Sequence, residues 1–246
     1  MQELDRATAV PMIDADALLA ALARAGEPRT TVIDLRSPSE HAEDHVPGAV
    51  NVPLFDDVER ALIGTLYRVS SPQAAFEEGR RAARAGIGAL VGAVAAAAGW
   101  SAPALDLPAR VDGLTAGGFE RLEGRLRAQP RAAAPPGAVV LHCWRGGLRS
   151  RSVIAFLRGL GLERAVGLTG GYKGWRARVR AELDGWQAPP AFVLRGFTGV
   201  GKTLVLRALE ARRPGLTVDL EALAGHRSSI LGMVCLLYTS PSPRDS

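Results

Sequence analysis

The sequence predicts an α/β protein, a parallel sheet with helices on both faces followed by the start of a second α/β unit. Three observations predict it. Short apolar runs alternate with stretches of helical periodicity, the order expected of a parallel sheet covered on both sides. One such run ends in a cysteine whose arginine-containing loop, residues 142–150 (HCWRGGLRS), leads into a helix. Near residue 200 a glycine-rich loop, residues 196–203 (GFTGVGKT), sits between a run that reads as a strand and one that reads as a helix.

Length and composition bound the reading. The chain has 246 residues, room for one full domain and part of another. Two cysteines give no disulfide framework and suit a reducing cytoplasm. Residues 1–16 carry charges and no apolar core, so no signal peptide is expected. The net charge of +5 is compatible with RNA without arguing strongly for it. No residue set is assigned to a resident metal.

The elements follow in chain order. Residues 14–26 (DADALLAALARAG) read as an opening helix and residues 31–35 as a strand. Residues 54–136 look helical, with a capped helix over residues 71–86 that has Pro72 at its first position. Residues 86–99 (GIGALVGAVAAAAG) are the single membrane candidate. They are too short and too rich in Gly and Ala to span, so a tightly packed internal helix and no membrane partner are expected. Val139, Val140 and Leu141 read as a buried strand bounded by Pro135, Pro136 and Gly137. Val153, Ile154, Phe156, Leu157 and Leu160 fall at helical spacing, and Gly159 and Gly161 mark the end of that helix. Residues 1–186 form the first domain and residues 187–190 a linker. Residues 191–229 are a partial P-loop domain, with 191–195 as its strand, Leu204, Leu206 and Leu209 on its helix, and residues 216–220 a second candidate strand. Residues 230–246, which end in a polar, Ser/Pro-rich run, read as a non-native tail on a truncated gene, and Cys235 within them is assigned no role.

Cys143 is the candidate nucleophile. It stands at the carboxyl end of a strand, with its loop feeding a helix N-terminus, where unpaired N–H groups and the helix dipole favour an anion. A thiol there should have a lowered pKa. Arg145, Arg149 and Arg151 add positive charge, and Arg158, Arg164, Arg176, Arg178 and Arg180 gather in the same half of the chain. For residues 176–180 a solvated helix face and a phosphate-backbone contact weigh equally. Five residues separate Cys143 from Arg149, the spacing of the phosphate-cradling loop of cysteine-dependent phosphatases. The loop also resembles the active loop of rhodaneses, the sulfurtransferases, whose common single-domain version is one residue shorter. His142 reads as a core residue rather than a base.

The second motif matches the P-loop pattern. Gly196, Gly199 and Gly201 let backbone N–H groups wrap phosphate oxygens, Lys202 supplies a point charge, and the Thr203 hydroxyl can hold a magnesium ion. The pattern recognises phosphates, not a particular nucleotide.

The flanking motifs carry a family resemblance. Residues 32–53 (VIDLRSPSEHAEDHVPGAVNVP) resemble the rhodanese strand-and-turn signature, with Asp34 ending a strand in a structural role. Residues 168–175 (LTGGYKGW) resemble the rhodanese closing motif. A rhodanese-like domain followed directly by a P-loop, together with residues 142–150, 51–67 and 219–229, resembles the bacterial tRNA 2-selenouridine synthase family over residues 12–229.

That resemblance implies an enzyme that replaces sulfur by selenium on the wobble 2-thiouridine of tRNA. Its donor is selenophosphate and it passes through an S-geranylated uridine made from geranyl diphosphate. Nothing is tightly bound. The implied partners are the tRNA anticodon loop and an enzyme that produces selenophosphate, in the cytoplasm. Cys143 would attack selenium, Arg149 would supply nearby charge, and the P-loop would hold the phosphorylated co-substrate. His226 and Arg227, in the segment after the P-loop, are either ligands or structural. A rhodanese-type sulfurtransferase remains open, as does a cysteine-dependent phosphatase. A non-enzymatic P-loop module is disfavoured by the presence of Cys143.

Overall fold

A computed structural model describes residues 8–24, 28–187, 190–197 and 199–219. The chain divides into two units, residues 1–186 and 187–246. The segment around His226 and Arg227, Cys235, and the expected tail over 230–246 lie outside the described residues.

The first unit runs β1 (Thr8–Ile13), α1 (Ala15–Leu22), β2 (Thr31–Asp34), α2 (Pro38–Glu43), β3 (Val50–Asn51), α3 (Asp57–Val69) and α4 (Pro72–Ala98). It continues through α5 (Leu107–Thr115), α6 (Gly118–Arg125), β4 (Leu126–Pro130), β5 (Val139–His142), α7 (Leu148–Gly159), β6 (Ala165–Leu168) and α8 (Gly171–Gly185). The six strands form one sheet in the order β3-β2-β5-β6-β1-β4, with every pair parallel. The expected α/β class is the observed one.

Side-chain alternation along the strands divides the core between the two faces of the sheet. Ile33, Val139 and Leu141 join Leu90, Val91 and Val94 of α4 and Ile154 and Leu157 of α7 on one face. Val32, Val140 and Val166 join Leu18 of α1 and Tyr172 and Trp175 of α8 on the other. All four residues of β5 are buried, as a central parallel strand requires. Its C-terminus is therefore held from both sides.

Caps set several boundaries. Asp14 accepts from the Ala17 N–H at the start of α1, and Asp56 and Glu59 form a capping box on α3. β1, α2, β3 and β6 are not legible in the sequence, and β4 lies in the stretch 54–136 expected to be helical. β1 and β4 pair through Val10 and Ala128. Both are short and lack clean alternation.

The structure also corrects the reading of residues 86–99. They are not a separate short helix but the second half of α4, which starts at Pro72 after its Ser71 cap and ends at Gly99 (φ +57°). Nothing between Pro72 and Gly99 breaks a helix, since isolated glycines cost stability without removing a hydrogen bond. By length and composition α4 could cross a membrane. It is not packed on all sides. One stripe, Ile87, Leu90, Val91, Val94 and Ala98, enters the core, and Gly86, Gly88 and Gly92 do not.

In the second unit, α9 (Lys202–Arg212) follows the glycine-rich loop as expected. The strand expected over residues 191–195 does not form, and residues 216–219 form none either. A strand is defined by its ladder, and among the described residues nothing pairs with 191–195. Phe192, Val193 and Leu194 are exposed.

Candidate active site

Cys143 follows the last residue of β5, and α7 begins five residues later with Gly147 as its N-cap. The loop between them is held by a third element. The first N–H groups of a helix have no partner within it. In α8 these go to the loop: the Tyr172 N–H donates to the Cys143 carbonyl at 2.9 Å, and the Lys173 N–H to the Trp144 carbonyl at 2.9 Å. The approach is so close that only glycine fits. At Gly171 (φ +58°) a Cβ would fall on the Cys143 carbonyl oxygen and 2.5 Å from the Gly146 nitrogen. At Gly146 (φ +64°) it would lie 2.6 Å from the Leu168 carbonyl oxygen. The Gly-Gly turn of the closing motif thus serves the active loop rather than only starting a helix.

The Cys143 side chain is 2 % exposed. Its Sγ–H donates to Ser150 Oγ at 3.3 Å, and Ser150 Oγ donates to the Gly147 carbonyl at 3.2 Å. On ionisation the hydroxyl can rotate to donate to the thiolate, since one O–H serves either acceptor. Burial pushes the thiol pKa up. The charge of Arg149, the hydroxyl and N–H of Ser150 and the N–H of Arg145 outweigh it, and the thiol is held below its ordinary value. The two expected catalytic residues therefore share one electrostatic site. Ser150 is the member that sequence reasoning missed; its signal was its place beside Arg149 in the quoted loop.

A buried polar cluster stands behind the loop. Arg36, itself buried, grips Asp34 through Nε (3.1 and 3.0 Å) and one terminal nitrogen (2.6 Å), and donates to the Asp44 carbonyl at 2.6 Å. Burial alone would raise the Asp34 pKa, but these bonds and the nearby His142 hold it below the usual carboxylate range. The Arg36 guanidinium also lies 3.9 Å above the Tyr172 ring, and the Tyr172 hydroxyl donates to Asp44. Burial, then that bond, pushes the phenol pKa up to about 12. Tyr172 in turn packs against Trp144, with ring centroids 5.7 Å apart. Asp34 thus positions the loop from beneath. His142 is fully buried, and burial lowers its pKa to about 4 despite Asp34 Oδ1 at 3.6 Å from its Nδ1. It stays neutral at physiological pH, as a core residue should.

The arginine cluster is less uniform than the sequence implies. Arg151 donates to the Leu126 carbonyl at 2.6 Å. Arg158 donates to the carbonyls of Glu163 and Ala165, and Arg164 to those of Gly137 and Ala98. These three tie backbone segments together and are not free to hold an anion at Cys143.

The second candidate site is the glycine-rich loop of the other unit. Gly199 (φ +85°) and Gly201 (φ +87°) adopt left-handed backbone that favours glycine. Lys202 Nζ donates to the carbonyls of Gly196 (3.0 Å) and Phe197 (2.9 Å), so the lysine folds back over its own loop. Thr203 lies in the first turn of α9, where a hydroxyl could reach a phosphate-bound magnesium ion. These residues fit the phosphate-binding pattern locally.

Two family models match the chain. A rhodanese-like domain matches residues 15–82, and the AAA domain of tRNA 2-selenouridine synthase matches residues 189–242. Among curated proteins, the tRNA 2-selenouridine synthase of Chromohalobacter salexigens is 34 % identical over 203 residues, covering 82 % of this chain and 45 % of that protein. That of Cronobacter sakazakii is 33 % identical over 219 residues, covering 89 % and 46 %. The chain belongs to the tRNA 2-selenouridine synthase family. It spans about half the length of the curated tRNA 2-selenouridine synthases it matches. Among solved structures, a rhodanese-like domain from Anabaena is 16 % identical, with a TM-score of 0.31, covering 76 % of this chain and 93 % of that one. The first unit of this tRNA 2-selenouridine synthase relative is rhodanese-like α/β, and the second is the start of a P-loop α/β domain.

Proposed function

We propose that this chain carries the chalcogen-handling site of an enzyme that replaces sulfur by selenium on the wobble 2-thiouridine of tRNA. The observation that carries the reading is the activated Cys143 in a rhodanese-like domain, joined to a segment that matches the AAA domain model of tRNA 2-selenouridine synthase. Cys143 is the nucleophile and Arg149 its electrostatic partner. Ser150 stabilises the thiolate, as a hydrogen bond to the charged form does. The donor is selenophosphate. The thiolate forms an S–Se bond, and the Se–P pair leaves with phosphorus. The acceptor base is splayed from the anticodon stack, because a nucleobase still in the stack cannot present its C2 to a side chain. The terminal selenide then attacks C2 of the S-geranylated base, geranyl thiol leaves, and an external thiol reduces the S–Se bond, freeing the selenouridine and the Cys143 thiol. Gly196, Gly199, Gly201, Lys202 and Thr203 would hold the diphosphate of the geranyl donor, and the Thr203 hydroxyl could hold a magnesium ion that neutralises it. This chemistry belongs to the cytoplasm.

Mass spectrometry of the full chain after brief exposure to selenophosphate tests this. The expected result is a selenium adduct on the peptide containing Cys143 and none in Cys143→Ser. A sulfur adduct from thiosulfate with no selenium adduct would favour a sulfurtransferase. A phosphate adduct on Cys143 would favour the phosphatase reading that its five-residue spacing to Arg149 permits.

A further inference from the structure

We propose that Lys173, Arg176 and Arg180 of α8 form a stripe that binds the RNA phosphate backbone and seats the tRNA beside Cys143. This rests on tRNA being the substrate and assigns it a surface.

The spacing of three and four residues places the three cations along one face of the helix. All three are exposed, and among the described residues none of their side chains makes a hydrogen bond or an ion pair. The fourth cation of this stretch behaves differently. Arg178 points elsewhere and is neutralised by Asp16 at 2.6 Å and Glu182 at 2.5 Å. The helix therefore sorts its positive charges into one that is paired for structure and three that are left open. Asp184, one turn beyond Arg180, is the acid that lies on the stripe, at its far end.

Leaving the three open works against the helix. Like charges at i,i+3 and i,i+4 destabilise it, and nothing in α8 compensates Lys173 against Arg176 or Arg176 against Arg180. A solvated face has no need of that arrangement, whereas a polyanion relieves it.

The position supplies the partner. The stripe starts where α8 is bonded to the active loop, through the Tyr172 and Lys173 N–H groups on the carbonyls of Cys143 and Trp144. From there it runs about 10 Å along the helix. The cations lie in a line and do not converge, which suits a chain of phosphates better than one phosphorylated small molecule. A nucleic acid strand lying along them would be fixed in register with the nucleophile, which is the task of backbone contacts.

Binding of an in vitro transcribed tRNA with a wobble uridine to the full chain, measured over a range of salt, tests the stripe. Replacing all three by glutamine should weaken binding about a hundred-fold at 0.1 M salt and make the log–log salt slope shallower by about two to three. Arg178→Gln should leave both unchanged. Alkylation of Cys143 by iodoacetamide should proceed at the wild-type rate in the triple variant, which shows that the loop is intact. If that variant fails to fold, Arg180→Gln, the change farthest from the loop, should still lower the slope by just under one. An unchanged affinity and slope in the triple variant would overturn the stripe alone, as would an equal loss in Arg178→Gln. A wild-type chain that binds no tRNA would overturn the stripe and the proposed function together.

Discussion

The active loop of the first unit and the glycine-rich loop of the second both lead into a helix and carry left-handed glycines, yet they are built differently. The Cys143 loop is enclosed. β5 is buried on both sides, α8 bonds two of the loop's carbonyls, and Gly146 and Gly171 meet backbone to backbone. The 196–203 loop makes its described contacts within itself, with Lys202 on the carbonyls of Gly196 and Phe197. A phosphate-binding loop presents its own N–H groups and is legible as a local pattern. A buried thiolate needs a low-pKa environment assembled from distant segments. The one motif can be written in eight residues, whereas the other needs a fold.

Substituting one glycine in each loop should show the largest difference. Gly171→Ala forces a Cβ onto the Cys143 carbonyl in left-handed backbone, so overpacking adds to conformational strain. A loss of about 3 kcal/mol is expected, which lowers the calorimetric melting temperature of the first unit by roughly 6–12 °C. Gly199→Ala meets no atom within 4 Å and bears strain alone, about 1 kcal/mol, with no change in the melting of the first unit. Equal effects would mean that the enclosure of the first loop contributes little.

Ser150→Ala is a smaller break inside the enclosed site. It removes a donor to the thiolate, and hydrogen bonds to charged groups contribute about 1.5–3 kcal/mol, so the thiol pKa should rise by about one to two units. In a Cys235→Ser background, the midpoint of iodoacetamide alkylation should move to higher pH by that amount. Ser150→Thr should restore it. A midpoint that stays in place would remove Ser150 from the thiolate's environment.

Lys202→Ala is the smallest test for the first unit and bears on the second. Because the lysine belongs to the other loop, the pH midpoint of Cys143 alkylation should not move. Binding of geranyl diphosphate, followed by calorimetric titration, should weaken about ten-fold, the loss of one point charge on a phosphate. If alkylation changed instead, the two sites would be coupled.

Much of the molecule was legible from residues alone. The apolar run of β5, the periodicity of α7 and the cap at Ser71 depend on neighbours in sequence, and so do Cys143, Arg149 and the P-loop glycines. β1 and β4 are not legible because a strand is made by its ladder, Thr8 to Met12 beside Leu126 to Pro130 and Met12 and Ile13 beside Gly167 and Leu168. The opposite error befell residues 191–195, whose β-prone composition found no ladder among the described residues.

By itself, then, the sequence determined the α/β class and the two loop motifs, because periodicity, caps and loop patterns are short-range properties. Only the tertiary structure decided what surrounds them. It placed Ser150 against the sulfur, Gly171 under the loop and Tyr172 over Arg36. It also turned Arg151, Arg158 and Arg164 into backbone ties while leaving Lys173, Arg176 and Arg180 open. Desolvation and charge pairing depend on which segments meet in space, and that is set by the packing of the whole sheet.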